Sequence, residues 1–189
     1  MSTTEPIRQK STLHEFKNYY LERRPNLRNY VLIVVGLNTA LRITDLLHLK
    51  WEDIYANGEM RTHLYVTEQK TSKINRIYLN KEASMALEML IQHRTSKNPY
   101  VFTSSASPDK PISRQQAYRI VRHAAENVGL SEHVSCHSLR KTFGYHAWKQ
   151  GTQPALLMSI YNHSSYEITT RYLCIEQDDK DEVYCKIQL

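Results

Sequence analysis

The chain has 189 residues, a hydrophobic fraction of 41% and a formal charge of +6, which together fit one globular domain. No apolar run reaches the length of a membrane span, and the Met-Ser-Thr-Thr start lacks the apolar core of a signal peptide, so we expect a cytoplasmic protein. The basic excess is the sign expected for a polyanionic partner, and the three cysteines have no metal-binding spacing.

Helical periodicity dominates the first fifty residues. Residues 1–10 are expected to form a flexible lead-in, and Thr12-Leu-His-Glu15 has the capping-box pattern that opens a helix. Apolar side chains then recur at helical spacing between Leu27 and Leu37. A break near Thr39-Ala40 and a short helix over about 44–49 complete this part of the chain.

The pattern changes to that of β-strands between about 52 and 79. Asn57-Gly58 is a tight-turn pair, and the segments 63–67 and 75–79 alternate apolar and polar residues. A small antiparallel sheet is therefore predicted here, with its connecting turn at Lys70-Thr-Ser-Lys73.

The second half of the chain is again helical, apart from a loop over 95–111. Ser113 is a good cap for a helix that should stop at Gly129, and Ser165 can cap the last helix. Further helices are predicted after Asn80, over about 138–149 and over about 154–161. The sum is mostly α with one small sheet, which is an α+β arrangement.

Three segments carry most of the chemically active side chains. They are Leu41–Leu49, His137-Ser-Leu-Arg140 and Asn162–Tyr172. In this order, and with Lys70 at the predicted hairpin turn, they resemble the tyrosine recombinase (phage-type integrase) family. The similarity covers roughly residues 25–175.

The resemblance implies a domain organisation. Residues 11–175 are expected to form a catalytic domain with the mostly α, α+β DNA breaking-rejoining fold. We expect no N-terminal core-binding domain, which would make the chain either a minimal recombinase or a domain from a longer protein. The tail over 176–189 could pack on a neighbouring protomer, as in the family, or on its own domain.

The resemblance also implies an activity: cleavage and rejoining of DNA at specific sites through a covalent 3′-phosphotyrosine, giving inversion, excision or integration. No metal or other cofactor is implied. The implied partners are double-stranded DNA and further copies of the chain, forming a synaptic tetramer on DNA, with no membrane. The implied catalytic residues are Arg42, Lys70, His137, Arg140, His163 and Tyr172.

The two arginines suit phosphodiester chemistry. Attack on the phosphate gathers negative charge on its non-bridging oxygens, so charge stabilisation contributes much of the catalysis. A guanidinium can hold two phosphate oxygens and keeps its proton, which suits Arg42 and Arg140. For Arg42 alone, a salt bridge with Asp45 is the alternative interpretation.

His137 and Arg140 lie three residues apart, so a helix places them on one face. Histidine exchanges protons near neutral pH, although His137 taken alone could equally be a capping or core residue. In the family, the hairpin lysine protonates the leaving 5′ oxygen, which here implies Lys70, with Lys73 as its rival.

His163 and Tyr172 are nine residues apart. Nine residues of a continuous helix turn through about 900°, or two and a half turns, which would put the two side chains on opposite faces. The chain must therefore bend at Ser164-Ser165, so that His163 precedes a helix and Tyr172 lies near its far end. A tyrosine ester conserves the energy of the broken bond, so that resealing needs no nucleotide. Weaker candidates for the nucleophile are Tyr161, Tyr166 and Tyr184.

The sequence departs from the family at Asn162, where glycine usually precedes the second histidine. Asparagine tolerates the left-handed backbone that glycine would adopt there. A catalytically silent DNA-binding regulator or accessory protein with the same fold is the alternative function. An unrelated helical transcription factor is a third class, for which no convincing helix-turn-helix motif is present.

Overall fold

The computed structural model describes residues 4–67, 74–95, 97–104, 107, 109–130, 133–175, 181 and 184–187. Its elements, in chain order, are α1 (Lys10–Glu22), α2 (Leu27–Thr39), α3 (Ile43–Leu47), α4 (Trp51–Ile54), β1 (Tyr55–Ala56), β2 (Glu59–Met60), β3 (His63–Thr67), β4 (Ile74–Tyr78), α5 (Lys81–Gln92), α6 (Arg114–Asn127), α7 (Cys136–Lys149), α8 (Pro154–Tyr161) and α9 (Tyr166–Leu173). In these ranges no helix combines the length and the apolar character needed to cross a bilayer.

Helix α2 is the centre of the main core. Its residues from Val31 to Val35 are all completely buried, and α1, α5 and α7 pack around it. A helix that is apolar on every side is stable only inside a protein. The Asn26 side chain caps its start by accepting a hydrogen bond from the Asn29 amide at 3.1 Å. Its end is Ala40, whose left-handed backbone (φ 53°) breaks the helix where the sequence predicted.

The predicted sheet is present as two separate antiparallel hairpins. Strand β1 pairs with β2, and β3 pairs with β4 in a register that joins His63 to Tyr78. Leu64 and Val66 on β3 face the core, while Tyr65 between them is exposed, as the alternating pattern required. The first residues of the predicted sheet region form helix α4 instead. The predicted turn at 70–73 lies outside the described residues.

The second half of the chain follows the predicted boundaries closely. Ser113 caps α6 by accepting a hydrogen bond from the Gln116 amide at 3.1 Å, and α8 spans the predicted 154–161. Ser165 caps α9 in the same way. Asn162 has a φ of 54°, so it adopts the left-handed conformation that the family's glycine would supply.

Residues 4–9, which fall within the predicted lead-in over residues 1–10, lie against α7. The Ile7 amide donates to the Thr142 hydroxyl at 2.9 Å, and the Ile7 side chain is buried. Helix α1 begins at Lys10 with Gln9 as its N-cap residue, three residues before the expected N-cap Thr12, and the Gln9 side chain makes no capping hydrogen bond. The hydrogen bonds of this segment are made mainly by its backbone. Backbone groups are the same in every residue, so these bonds leave no periodic pattern in the sequence.

A second, smaller core joins α7, α8 and α9. It consists of Ala40, Tyr145, Tyr161, Leu173 and Ile175. The helices approach closely because Gly144 on α7 has no side chain. A β-carbon at this position would lie 2.6 Å from Leu173 Cδ2 and would also collide with the Tyr161 hydroxyl.

Gly144→Ala is therefore expected to destabilise the fold. The overpacking costs about 1–3 kcal/mol, and the better helix propensity of alanine recovers at most about 1 kcal/mol. Because two side chains would lie within 3 Å of the added β-carbon, the overpacking cost should be near the upper end of that range, and the net loss of about 2 kcal/mol is measurable by urea unfolding. Ser159→Ala, at an exposed position of α8, should leave the free energy of unfolding nearly unchanged. An unchanged stability of Gly144→Ala would mean that α8 and α9 can separate from α7 without cost.

Candidate active site

The structure describes five of the six predicted catalytic residues. Arg42 precedes α3, His137 and Arg140 lie in the first turns of α7, His163 lies between α8 and α9, and Tyr172 lies in the last turn of α9. Lys70 falls outside the described residues. The bend required between His163 and Tyr172 is present, because α9 starts only after the Ser165 cap.

Arg140 is held in a fixed position. Its side chain is only 5% exposed, and its Nη1 donates to the Ala40 carbonyl while Nη2 donates to the Tyr161 carbonyl at 3.3 Å. The guanidinium carbon also lies 4.6 Å from the centre of the Tyr161 ring. The carbonyls that end α2 and α8 therefore position this cation, and the backbone of two helices sets its orientation.

Tyr172 packs among the other site residues. Its ring centre lies 5.2 Å from that of His163 and 5.4 Å from that of Tyr161. Burial raises the pKa of Tyr172 above its ordinary value, while the charges of Arg140 and Arg42 act in the opposite direction. The phenol is therefore neutral at neutral pH, and it needs a base before it can act as a nucleophile.

His163 is oriented by a neighbouring threonine. Its Nδ1 lies 3.1 Å from the Thr169 hydroxyl, which also donates to the Ser165 carbonyl at 3.2 Å. When the hydroxyl donates to Ser165, it accepts from Nδ1–H, and Nε2 is the free acceptor of the neutral ring. Burial lowers the pKa of His163, and the charges of Arg140 and Arg42 lower it further.

His137 lies at the start of α7, on the turn that precedes Arg140. Although the residue is exposed, neighbouring protein atoms partly desolvate its ring, which lowers its pKa, and four nearby cations contribute in the same direction. In decreasing order of effect these are Lys141, Arg114, Arg140 and Arg42. His137 is therefore neutral at neutral pH and able to accept a proton.

Arg42 belongs to the same group of side chains. Its charge lowers the pKa of Tyr172, His137 and His163, as that of Arg140 does. The five residues thus form one electropositive cluster that contains a phenol and two neutral imidazoles. Such a cluster can bind an oxyanion and accept a proton from the phenol.

Tyr161, one of the weaker candidates for the nucleophile, has a structural position instead. Its ring is completely buried, and its hydroxyl donates to the Arg140 carbonyl at 2.7 Å. Burial raises the pKa of Tyr161 strongly. Neither this contact nor the positions of Thr169 and Lys141 at the site were predicted from the sequence. The i, i+4 spacing of His137 and Lys141 on one helix was a usable signal for the last of these.

Comparison with known proteins gives the family. Residues 9–178 match the phage integrase family over most of the chain. The chain belongs to this family. The predicted family, and with it the enzyme class of the tyrosine-type recombinases and integrases, is thereby confirmed.

This integrase-family chain covers nearly all of one relative and only part of the others. It is 41% identical to a probable integrase/recombinase, YoeC, of Bacillus subtilis, over 97% of both chains. It is 26% identical to the tyrosine recombinase XerA of Pyrococcus horikoshii over 78% of its own length, but it covers only 50% of that relative. Identity to the type 1 fimbriae regulatory protein FimE of Escherichia coli is 28%, over 77% of this chain and 73% of FimE.

Solved structures confirm the predicted fold. The XerA recombinase structure has a TM-score of 0.78 at 18% identity and matches all of this chain and 66% of its own. A XerH recombinase bound to its palindromic difH substrate, in a post-cleavage complex, has a TM-score of 0.77 at 18% identity, over 97% of this chain and 52% of its own. The α+β DNA breaking-rejoining fold of integrase-family catalytic domains is therefore the fold of this chain.

Proposed function

We propose that this chain is a site-specific DNA recombinase that cuts DNA with Tyr172 and rejoins it. The observation that carries the proposal is the placement of the Tyr172 phenol: its ring centre lies 5.2 Å from that of His163, and the nearby charges of Arg140 and Arg42 lower its pKa. The phenol oxygen would attack the phosphorus, forming the tyrosyl ester to the 3′ phosphate and releasing the 5′ oxygen. Attack by a 5′ hydroxyl on that ester would reverse the step and seal a new strand.

The two guanidinium groups would bind the non-bridging phosphate oxygens. Arg140 has five N–H donors, and two of them are used by the Ala40 and Tyr161 carbonyls. The remaining donors can serve Tyr172 and the phosphate. Because the backbone already holds this guanidinium, little reorganisation is needed when charge develops on the phosphate.

Two proton transfers complete the proposed reaction. The Tyr172 proton would pass to a neutral imidazole, for which the lowered pKa values of His137 and His163 suit both residues. The departing 5′ oxygen would gain its proton from an acid, and we assign this role to Lys70, which lies outside the described residues.

Double-stranded DNA is the proposed partner, acted on in the cytoplasm. The +6 charge supports it, as do the similar solved structures, which include a lambda integrase dimer bound to a COC′ core site. We further propose that residues 11–175 are the catalytic domain and that the chain assembles as a synaptic tetramer on DNA. In the tail over 176–189, Tyr184 is 80% and Ile187 59% exposed, which supports packing against a neighbouring protomer.

Covalent capture on DNA tests the proposal directly. The protein is mixed with a pool of nicked duplexes of randomised core sequence, in which the short cleaved fragment diffuses away and resealing is prevented. A protein–DNA adduct that survives denaturation and disappears on proteolysis is expected, and sequencing of the adducts gives the preferred site. Binding to DNA without any adduct would favour the alternative function, a catalytically silent DNA-binding regulator with this fold.

The pH dependence of the cleavage rate should reflect the two histidines. Their pKa values lie below the ordinary value of about 6.5, so the neutral rings persist into mildly acidic solution. With DNA well below saturation, where the rate reports the free enzyme, the acidic midpoint is expected below pH 6.5. His48→Gln, at an exposed histidine outside the site, should leave the profile unchanged. A midpoint above pH 6.5 would contradict the proposed neutral state.

A further inference from the structure

Residues 4–8, here called the N-terminal strap, are bound along helix α7. Besides the bond from the Ile7 amide to Thr142, the Ile7 carbonyl lies 3.0 Å from His146 Nε2. The Glu5 amide donates to the His133 carbonyl at 3.1 Å just before the helix. The strap is therefore fixed to the same helix that carries His137 and Arg140.

The strap also contacts the end of the helix that carries Tyr172. Arg8 Nη2 donates at 3.1 Å to the carbonyl of Cys174, the left-handed residue (φ 59°) that ends α9. The Arg8 guanidinium lies 5.5 Å from the centre of the Tyr145 ring, in the small second core. Since Tyr172 is only two residues from Cys174, this bond constrains the backbone that carries the phenol.

Lys141 joins the strap, the end of α9 and the Tyr172 ring. Its side chain is only 3% exposed, and its Nζ donates to the Thr4 carbonyl at 2.6 Å and lies 3.5 Å from Cys174 Sγ. The same Nζ lies 5.1 Å from the centre of the Tyr172 ring, within the range of a cation–π contact. A buried ammonium is costly without such partners, so the strap carbonyl helps to keep it beneath the phenol.

We infer that Lys141, held in place by the N-terminal strap, is a positioning residue that sets the Tyr172 phenol against the phosphate site. This inference rests on the proposed function of Tyr172 as the nucleophile. Lys141 has a second effect, because its charge lowers the pKa of His137 more than that of any other neighbouring cation. One ammonium thus orients the nucleophile and keeps a candidate base neutral.

Lys141→Met tests this role, since methionine retains an alkyl stem but lacks the ammonium. Misplacement of a reacting group by about 1 Å can cost about 100-fold in rate, so adduct formation should fall by about 10- to 100-fold while DNA affinity is unchanged. Lys141→Arg, which retains the charge and the donor groups, should recover most of the rate. A wild-type cleavage rate for Lys141→Met would overturn the inference.

Arg8→Met tests the strap separately and leaves α7 intact. It should slow adduct formation, and its effect should not add fully to that of Lys141→Met, because both changes release the same helix end. Arg23→Met is a matched control: Arg8 pairs with Glu5, and Arg23 likewise pairs with Glu15 and donates to the Asn127 carbonyl. Equal losses of rate in Arg8→Met and Arg23→Met would overturn the role of the strap.

Two measurements on the free protein do not depend on cleavage. Amide hydrogen exchange in the peptide over 169–175 should accelerate in Lys141→Met and in Arg8→Met, but not in Arg23→Met. In an NMR titration, Lys141→Met should raise the pKa of His137 towards its ordinary value, leaving Arg114, Arg140 and Arg42 to act on it. If the wild type forms no adduct, the proposed function fails. Separately, the positioning role of Lys141 is overturned if Lys141→Met changes neither the amide exchange rate over 169–175 nor the pKa of His137.

Discussion

Tyr172→Phe is expected to abolish the covalent adduct completely. The phenyl ring can keep its contacts with Tyr161 and His163, but the oxygen that would form the phosphate ester is absent. Removal of one hydroxyl should lower the free energy of unfolding by only about 1 kcal/mol, so the variant should fold. Denaturing gels of the capture reaction measure the adduct, and a mobility-shift titration measures DNA affinity, which should be unchanged.

The control variants for this prediction are other tyrosines. Tyr166→Phe and Tyr184→Phe remove the hydroxyls of two alternative nucleophiles, and both should form adduct at the wild-type rate. Adduct formation by Tyr172→Phe at any appreciable rate would identify a different nucleophile. In that case, mass spectrometry of the protein–nucleotide peptide would locate it.

Arg140→Lys is expected to give the second largest effect. Lysine retains the charge, but its compact ammonium cannot reach the Ala40 and Tyr161 carbonyls and the phosphate together. By analogy with the removal of one preorganised donor, cleavage should fall by about 100- to 1,000-fold. The carbonyls left without a donor should lower the free energy of unfolding by about 1–3 kcal/mol.

Single-turnover capture and urea unfolding measure these two effects separately. Arg119→Lys, at an exposed position on α6, provides the matched control and should retain both the stability and the cleavage rate. A cleavage rate for Arg140→Lys within tenfold of the wild type would mean that a point charge suffices. The fixed guanidinium would then have a mainly structural role.

Helix boundaries were predictable from sequence because single side chains determine them. Ser113 and Ser165 each accept a backbone hydrogen bond at the start of a helix. Asn162 adopts the left-handed conformation expected before the second histidine. In the same way, the nine-residue separation of His163 from Tyr172 required a bend, and the structure contains one.

The contacts around the site were less predictable, because they are made by the backbone or by residues distant in sequence. Residues 4–8 are bound largely through backbone carbonyls and amides, which every residue has, so the sequence pattern does not indicate these contacts. The i, i+4 spacing places Lys141 on the helix face of His137, but lysines are usually exposed, and the spacing does not indicate burial against Tyr172. The two hairpins share no strand pairing, and α4 packs against both β1 and β3, which periodicity does not encode.

The left-handed turn at Ala40 restricts which substitutions this enzyme can accumulate during evolution without losing its chemistry. Its carbonyl holds Arg140, and Arg42 follows it by two residues, so the end of one buried helix fixes both cations. The packing of α2 in the protein interior therefore determines the spacing of the two guanidinium groups. Substitutions on the outer surface can alter which DNA is recognised while leaving that spacing intact, whereas a shift of α2 within the core would disturb the chemistry on every substrate.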